Sequence, residues 1–121
     1  MTHPFRDQEK FMKACDQTVG IRNEDQYTMY LDLIDEEYKE LKAGIADDAE
    51  ALDALIDILV VTIGAIQSAG FDGERAWKEV MSTNFAKIDR LTGKVRKRED
   101  GKVLKPVGWT PPNLAPYLKR T

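Results

Sequence analysis

Apolar positions recur at helical intervals through the first ninety residues of this chain and then stop. Pro4 suits a first helical turn, and Phe5 to Cys15 reads as a short opening helix that Gly20 separates from the next. Asn23-Glu-Asp-Gln26 has capping-box spacing and opens a second helix. Its stripe is Leu31, Ile34, Tyr38, Leu41 and Ile45, a 3-4-3-4 repeat that predicts a helix–helix seam. Gly44 and Asp47-Asp48 punctuate the next boundary. A third helix then runs to about Ser68, apolar on most faces between Ala54 and Ile66, as in a central or interfacial helix. Gly70 fits a stop and Asp72 an N-cap. A fourth helix is predicted from Gly73 to Leu91, with Ala76, Trp77, Val80, Met81, Phe85 and Ile88 inward.

Beyond Thr92-Gly93 the periodicity gives way to Lys94-Val-Arg-Lys-Arg-Glu-Asp-Gly-Lys-Val-Leu-Lys105, where Asp100-Gly101 is a hairpin-turn dipeptide. A short two-stranded ribbon is expected there. From Pro106 a proline-rich tail carrying Trp109 should run extended. The pattern predicts an all-α domain of four to five helices with a short C-terminal β-ribbon. It is one domain over residues 1–121, with the helical core at 4–92 and the ribbon and tail at 93–121.

Charge sharpens this division. Residues 87–105 carry eight Lys or Arg against three acids, or +5, which leaves −8 for the rest of a chain whose net charge is −3. An acidic body with a basic arm suits a metal-bound polyanion. The same balance, without interleaved aromatics, argues against a nucleic-acid binder. One cysteine, Cys15, excludes an intrachain disulfide, and a single histidine, His3, excludes a Cys/His zinc site. With no signal pattern and no apolar run long enough for a bilayer, the expected location is cytoplasmic, with no membrane partner.

The chemistry lies in the acids. Asp57 interrupts the most apolar stretch, where a buried and unpaired carboxylate would cost several kcal/mol. No Lys or Arg lies between Lys42 and Arg75 to pair with it locally. Asp53 precedes it by one turn, and Glu50 lies one turn earlier on the same side. Glu36, Glu37 and Glu40 share an arc of about 100° on the second helix. Two antiparallel neighbours would bring these faces together, and hard oxygen donors suit Mg²⁺ or Mn²⁺. Bland readings stand beside these. Lys39 can pair with Asp35 or Glu36 and make that face ordinary surface. Glu50 also fits as the last residue of an Asp47-Asp-Ala-Glu50 capping box. A di-iron site is excluded because the chain has no Glu-x-x-His pairs.

Glu36-Glu37-x-x-Glu40 followed by acids on the next helix resembles the MazG-like branch of the all-α nucleoside triphosphate pyrophosphohydrolases, related to phosphoribosyl-ATP pyrophosphohydrolase. Two registers fit the family's second acidic motif. One is Glu50-x-x-Asp53. The other, favoured here, puts Asp57 at the final position with Asp53 as its companion. Asn84-Phe-Ala-Lys87, the segment from Arg98 to Pro112, and Phe11-Met-Lys-Ala-x-x-Gln17 are similar to other stretches of these proteins.

The resemblance implies hydrolysis of a (deoxy)nucleoside triphosphate to monophosphate and pyrophosphate. The expected metal ligands are Glu37, Glu40, Asp53 and Asp57, with Glu50 as the alternative companion, and Glu36 is the expected general base. Asn84, Lys87, Arg96, Arg98 and Lys102 would grip phosphate. Gln17 or Asn23 would read the base edge, and Trp109 would stack on the base or pin the tail. The residues do not single out a base, and a guanine nucleotide (dGTP or GTP) is the first to try. The apolar third helix implies self-association as a homodimer or dimer of dimers, with sites shared between subunits. The competing reading is a non-catalytic helical module that binds nucleotides or other anions through the basic ribbon.

Overall fold

In the computed structural model, residues 3–44 and 47–120 are described. Four helices are found among them: α1 (Pro4–Ala14), α2 (Glu24–Gly44), α3 (Asp48–Ser68) and α4 (Gly73–Phe85). A 3₁₀ turn follows at Ala115–Tyr117. The chain is all-α, and among the described residues the ribbon contributes only isolated bridges, Ile88 with Val95 and Lys97 with Val103. It divides into two compact units, residues 1–73 with 117–121, and residues 74–116.

The first unit is built on α2 and α3 with α1 against α3. Pro4 stands in the first turn of α1, where its missing N–H costs nothing. Asn23 Oδ1 accepts from Gln26 N–H and so caps α2. The reciprocal half of the expected capping box is not formed. The Gln26 side chain instead bonds the Thr18 backbone and Ser68 Oγ. Asp47 caps α3 by accepting from Glu50 N–H at 2.8 Å, as its spacing predicts. At the far end of α3, Gly70 takes φ +77°, its N–H reaches Gln67 O, and Phe71 N–H reaches Ile66 O. This is the paired bonding that closes a helix on a left-handed glycine.

The seam between α2 and α3 is rotated from the expected stripe. Leu31 and Tyr38 are 42% and 53% exposed, and Ile45 lies outside the described residues. The inward line is Gln26, Tyr30, Leu33, Ile34, Glu37 and Leu41. Its centre is Tyr30, buried with Met12 and Ala65. A Cβ on Gly64 would overlap the Tyr30 ring. The bare backbone at Gly64 therefore gives the ring its slot, and this contact sets which face of α2 turns inward. The Tyr30 hydroxyl donates to Gln17 Oε1. Burial pushes its phenol upward, partly opposed by its hydrogen bonds with Gln17 and Gln8.

The last residues return to this unit. Tyr117 O accepts from Asp72 N–H, Arg120 N–H donates to Gly70 O, and the Arg120 guanidinium reaches Glu9 at 2.7 Å.

In the second unit α4 ends at Phe85, six residues before the predicted stop at Leu91. The chain reverses there. Asp89 Oδ1 accepts from Leu91 N–H and Thr92 N–H, and Gly93 turns at φ +70°. Ile88 thus belongs to the ribbon and not to the helix. Trp77 and Phe85, expected inward, are 61% and 59% exposed. The Asp100-Gly101 signal does mark a reversal. Gly101 N–H bonds Arg98 O and Arg98 N–H bonds Lys102 O, with Gly101 at φ +87°. That is a three-residue loop ending on a left-handed glycine rather than a two-residue turn.

Candidate active site

One polar and one steric contact fix the antiparallel register of α2 and α3. Gln26 meets Ser68 at 2.8 Å. Four residues along α2 and four back along α3, Tyr30 lies on Gly64. Seven further steps in each direction set Glu37 level with Asp57. Both are half-buried. Glu36, Glu40 and Asp53 flank them in exposed positions.

Electrostatics agrees with the register. The Glu37 carboxyl is pushed above its ordinary value, first by burial, then by Asp57, followed by Glu40, Asp53 and Glu36. Among the described residues none of these five acids has an ion pair or side-chain hydrogen bond. The nearby Lys39 is committed to Asp35 at 2.7 Å, so it takes the pairing that leaves Glu36 open. Every neighbouring charge disfavours ionising Glu37, and a cation is the partner that would reverse this. Oxygen-only donors on two facing helices match what a hard divalent ion takes. Among the described residues, no group of three or more His, Cys, Asp or Glu is already drawn together to hold one. The acids therefore face one another as an open set.

Asp57 corrects one expectation. It is not sealed in apolar surroundings, because its own side of α3 is only half-buried and the acids of α2 lie across from it. Glu50 stands apart from the set. It is exposed on the first turn of α3, its N–H is held by Asp47, and it is not among the charges acting on Glu37.

The remaining candidates are dispersed. Gln17 is occupied by Tyr30, and Asn23 by capping α2 and by Thr18. In the second unit, Asn84 closes the last turn of α4 and accepts from Lys87 Nζ at 3.2 Å. Arg98 is engaged by Asp100 through both Nε and Nη2, at 3.2 and 2.6 Å, so it serves the loop. Arg96 and Lys102 lie exposed along the ribbon. Trp109 donates its indole N–H to Thr83 O at 2.7 Å and pins the tail to α4.

Comparison with known families settles the lineage. The model for phosphoribosyl-ATP pyrophosphohydrolase matches residues 9–84, more than half of the chain. The chain belongs to the phosphoribosyl-ATP pyrophosphohydrolase family. No curated protein matches it. The family falls within the all-α NTP pyrophosphatase superfamily, and the four helices accord with that fold. Its chemistry is pyrophosphohydrolysis, the cleavage of an acid anhydride in a nucleotide-like substrate, and such enzymes work with divalent metal ions. The match contains all the acidic candidates, Gln17 and Asn84. Lys87, Arg96, Arg98, Lys102 and Trp109 lie beyond it. Among the described residues no helix is long and apolar enough to cross a membrane.

Proposed function

We propose that this member of the phosphoribosyl-ATP pyrophosphohydrolase family hydrolyses a (deoxy)nucleoside triphosphate between its α- and β-phosphates. Water adds to the α-phosphorus, the α–β anhydride bond breaks, and monophosphate, pyrophosphate and a proton are released. The observation that carries this reading is the register-matched pair Glu37 and Asp57, with the Glu37 carboxyl raised by burial and by like charge. Glu37, Glu40, Asp53 and Asp57 would hold Mg²⁺, or Mn²⁺ in its place. A divalent ion bound there supplies neutralisation of phosphate charge and a more acidic water.

The chain's own residues do the rest. Glu36 lies about 100° around α2 from Glu37, off the ligand line, and would accept the proton of the attacking water. Glu50 remains outside the ligand set, as the third residue of a capped helix. The second unit offers its own phosphate-gripping candidates, Lys87, Arg96 and Lys102, with Asn84 as a neutral donor.

Self-association is the second part of the proposal. Leu52, Leu55, Ile56 and Leu59 form one stripe at i, i+3, i+4 and i+7 on α3, and they are 48–61% exposed. That spacing is the signature of a helix face made to be covered. A second copy of this chain is the proposed cover.

The test is a panel of NTPs and dNTPs, dGTP and GTP among them, with Mg²⁺ or Mn²⁺, scored for pyrophosphate release. Turnover that chelator abolishes is expected. Absence of turnover on every nucleotide, or full activity in both Glu37→Gln and Asp57→Asn, would overturn the reading.

A further inference from the structure

Arg98 and the Asp100-Gly101 pair have no part in the proposed reaction, yet the loop they form is bonded at both of its chemically sensitive groups. Arg98 Nε and Nη2 donate to Asp100 Oδ1 and Oδ2 at 3.2 and 2.6 Å, and Lys102 N–H donates to Oδ1 at 3.1 Å. Gly101 N–H donates to Arg98 O at 2.9 Å. One residue thus holds the Asp100 carboxylate with its guanidinium and the next peptide N–H with its carbonyl.

That carboxyl and that nitrogen can react with each other. Attack of Gly101 N on Asp100 Cγ forms the N–C bond of a five-membered succinimide. The Cγ–OH bond breaks, and water leaves with the amide hydrogen. Water then adds back to the ring, and opening at the backbone carbonyl yields isoaspartate, with the chain rerouted through Cγ. Glycine, lacking a Cβ, hinders the attack least. Asp100 and Gly101 are both exposed, so water reaches them.

Ring closure is opposed by each bond of the loop. The imide nitrogen has no hydrogen, so the bond from Gly101 N–H to Arg98 O must be lost. One carboxylate oxygen departs and the other becomes an imide carbonyl, so the guanidinium loses its ion. The departing oxygen must also be protonated first. Arg98, followed by Lys102 N–H, holds the Asp100 carboxyl below its ordinary value and keeps the neutral form scarce.

We propose that Asp100-Gly101 is an isoaspartate-forming site that Arg98 keeps closed in the folded chain. The modification would add a methylene to the backbone within the loop. The pairing of Arg98 N–H with Lys102 O and of Leu104 N–H with Arg96 O, at 2.8 and 2.7 Å, would then lose its register. Arg98 protects that pairing, and the protection needs no catalytic activity.

Ageing the full chain near neutral pH, with isoaspartate at Asp100 followed by peptide mapping and enzymatic methyl labelling, tests this. Arg98→Ala should raise the rate about two- to fivefold, the span of losing one exposed ion pair. The unaltered chain unfolded in guanidinium should react faster than the folded one. Lys97→Gln removes a neighbouring charge but none of these bonds, and should leave the rate unchanged. Asp72-Gly73, whose glycine is buried in the first turn of α4, is the internal reference and should not respond to Arg98→Ala. Equal rates in the folded and unfolded chain overturn the proposal, as do equal effects of Arg98→Ala and Lys97→Gln. So does a parallel rise at Asp72-Gly73, which would mean general loosening of the fold.

Discussion

The two halves of the α2–α3 seam obey opposite rules. Near the start of α2, Gln26 bonds Thr18 N–H, Thr18 O and Ser68 Oγ, and Asn23 bonds Thr18 Oγ1 and caps the helix. Asn23 N–H reaches Ser68 O as well. Polar groups are answered there, as burial demands. Some three turns away the same seam sets Glu37 against Asp57 with Glu40, Asp53 and Glu36 around them, and nothing answers. The satisfied half holds the helices in register. The register then forces the acids to face each other, so stability at one end underwrites tension at the other.

Breaking the tense half should produce the largest effect. With one of the proposed ligand acids neutralised, as in Asp57→Asn or Glu37→Gln, pyrophosphate release should fall by about a hundredfold or more, the scale of losing one preorganised electrostatic group. The metal-free fold should lose nothing, since one repelling charge is gone, and its melting temperature should hold or rise. A loss of activity accompanied by unfolding would instead mean that these acids serve the fold.

Breaking the satisfied half should do the reverse. Gly64→Ala drives a methyl into the Tyr30 ring, and overpacking of this kind costs about 1–3 kcal/mol. Gln26→Ala leaves the Thr18 groups and Ser68 without their partner, a loss of about 1–3 kcal/mol for the unsatisfied groups. Urea denaturation should show both. Activity per folded molecule should survive Gln26→Ala better than Gly64→Ala, because loss of the Gln26 tie leaves the Tyr30–Gly64 fit in place, whereas the added methyl displaces that fit and with it the register that sets Glu37 opposite Asp57.

Protons separate the halves more gently. Glu37 has a folded-state value above its unfolded one, so the folded state holds more protons in that window. Metal-free stability from this group is present at acid pH and is lost as pH rises through the raised value. Glu9 is the mirror case. Its hydrogen bond to Arg120 lowers it, so its contribution is present above the ordinary carboxylate value of 4.5 and is lost as pH falls through the depressed one. Both groups are partly exposed, and the Arg120 pair is worth about 0.2–1 kcal/mol. Melting curves between mildly acid and neutral pH should show the Glu37 slope vanish in Glu37→Gln and flatten with Mg²⁺. Arg120→Ala should remove only the loss at lower pH.

Much of this was legible in the chain, for reasons that differ by element. Caps at Asp47 and the stop at Gly70 depend on one or two residues and local geometry, and both formed as read. The seam could not be read from apolar spacing alone. Leu31 and Tyr38 have the right period, but the face is decided by a long-range fit of Tyr30 into Gly64, and a glycine inside an apolar helix was the available sign. The end of α4 was misjudged because Asp89 draws the chain into a turn while Ile88 and Leu91 keep a helical spacing. Among the acids, spacing along the two helices pointed to the set and favoured Asp57 with Asp53 over Glu50, and the antiparallel register sets Glu37 level with Asp57.

Glu50 is where that ranking meets its smallest test. By sequence it competes with Asp57 for a place in the set, since Glu50 and Asp53 stand at the family's spacing. In the folded chain Glu50 sits on the exposed first turn of α3 with its N–H bonded to Asp47, and four other acids, but not Glu50, act on Glu37. An acid on a first turn also has a purpose of its own, since it faces the positive end of the helix for about 0.3–1 kcal/mol. Glu50→Gln should therefore change turnover by less than about threefold and lower stability only within that small range. Asp53→Asn, one turn further in, should cost turnover at least about tenfold. If Glu50→Gln instead costs as much turnover as Asp53→Asn while Asp57→Asn costs little, the working register is Glu50 with Asp53, and α3 must turn its first turn toward Glu37 when metal binds.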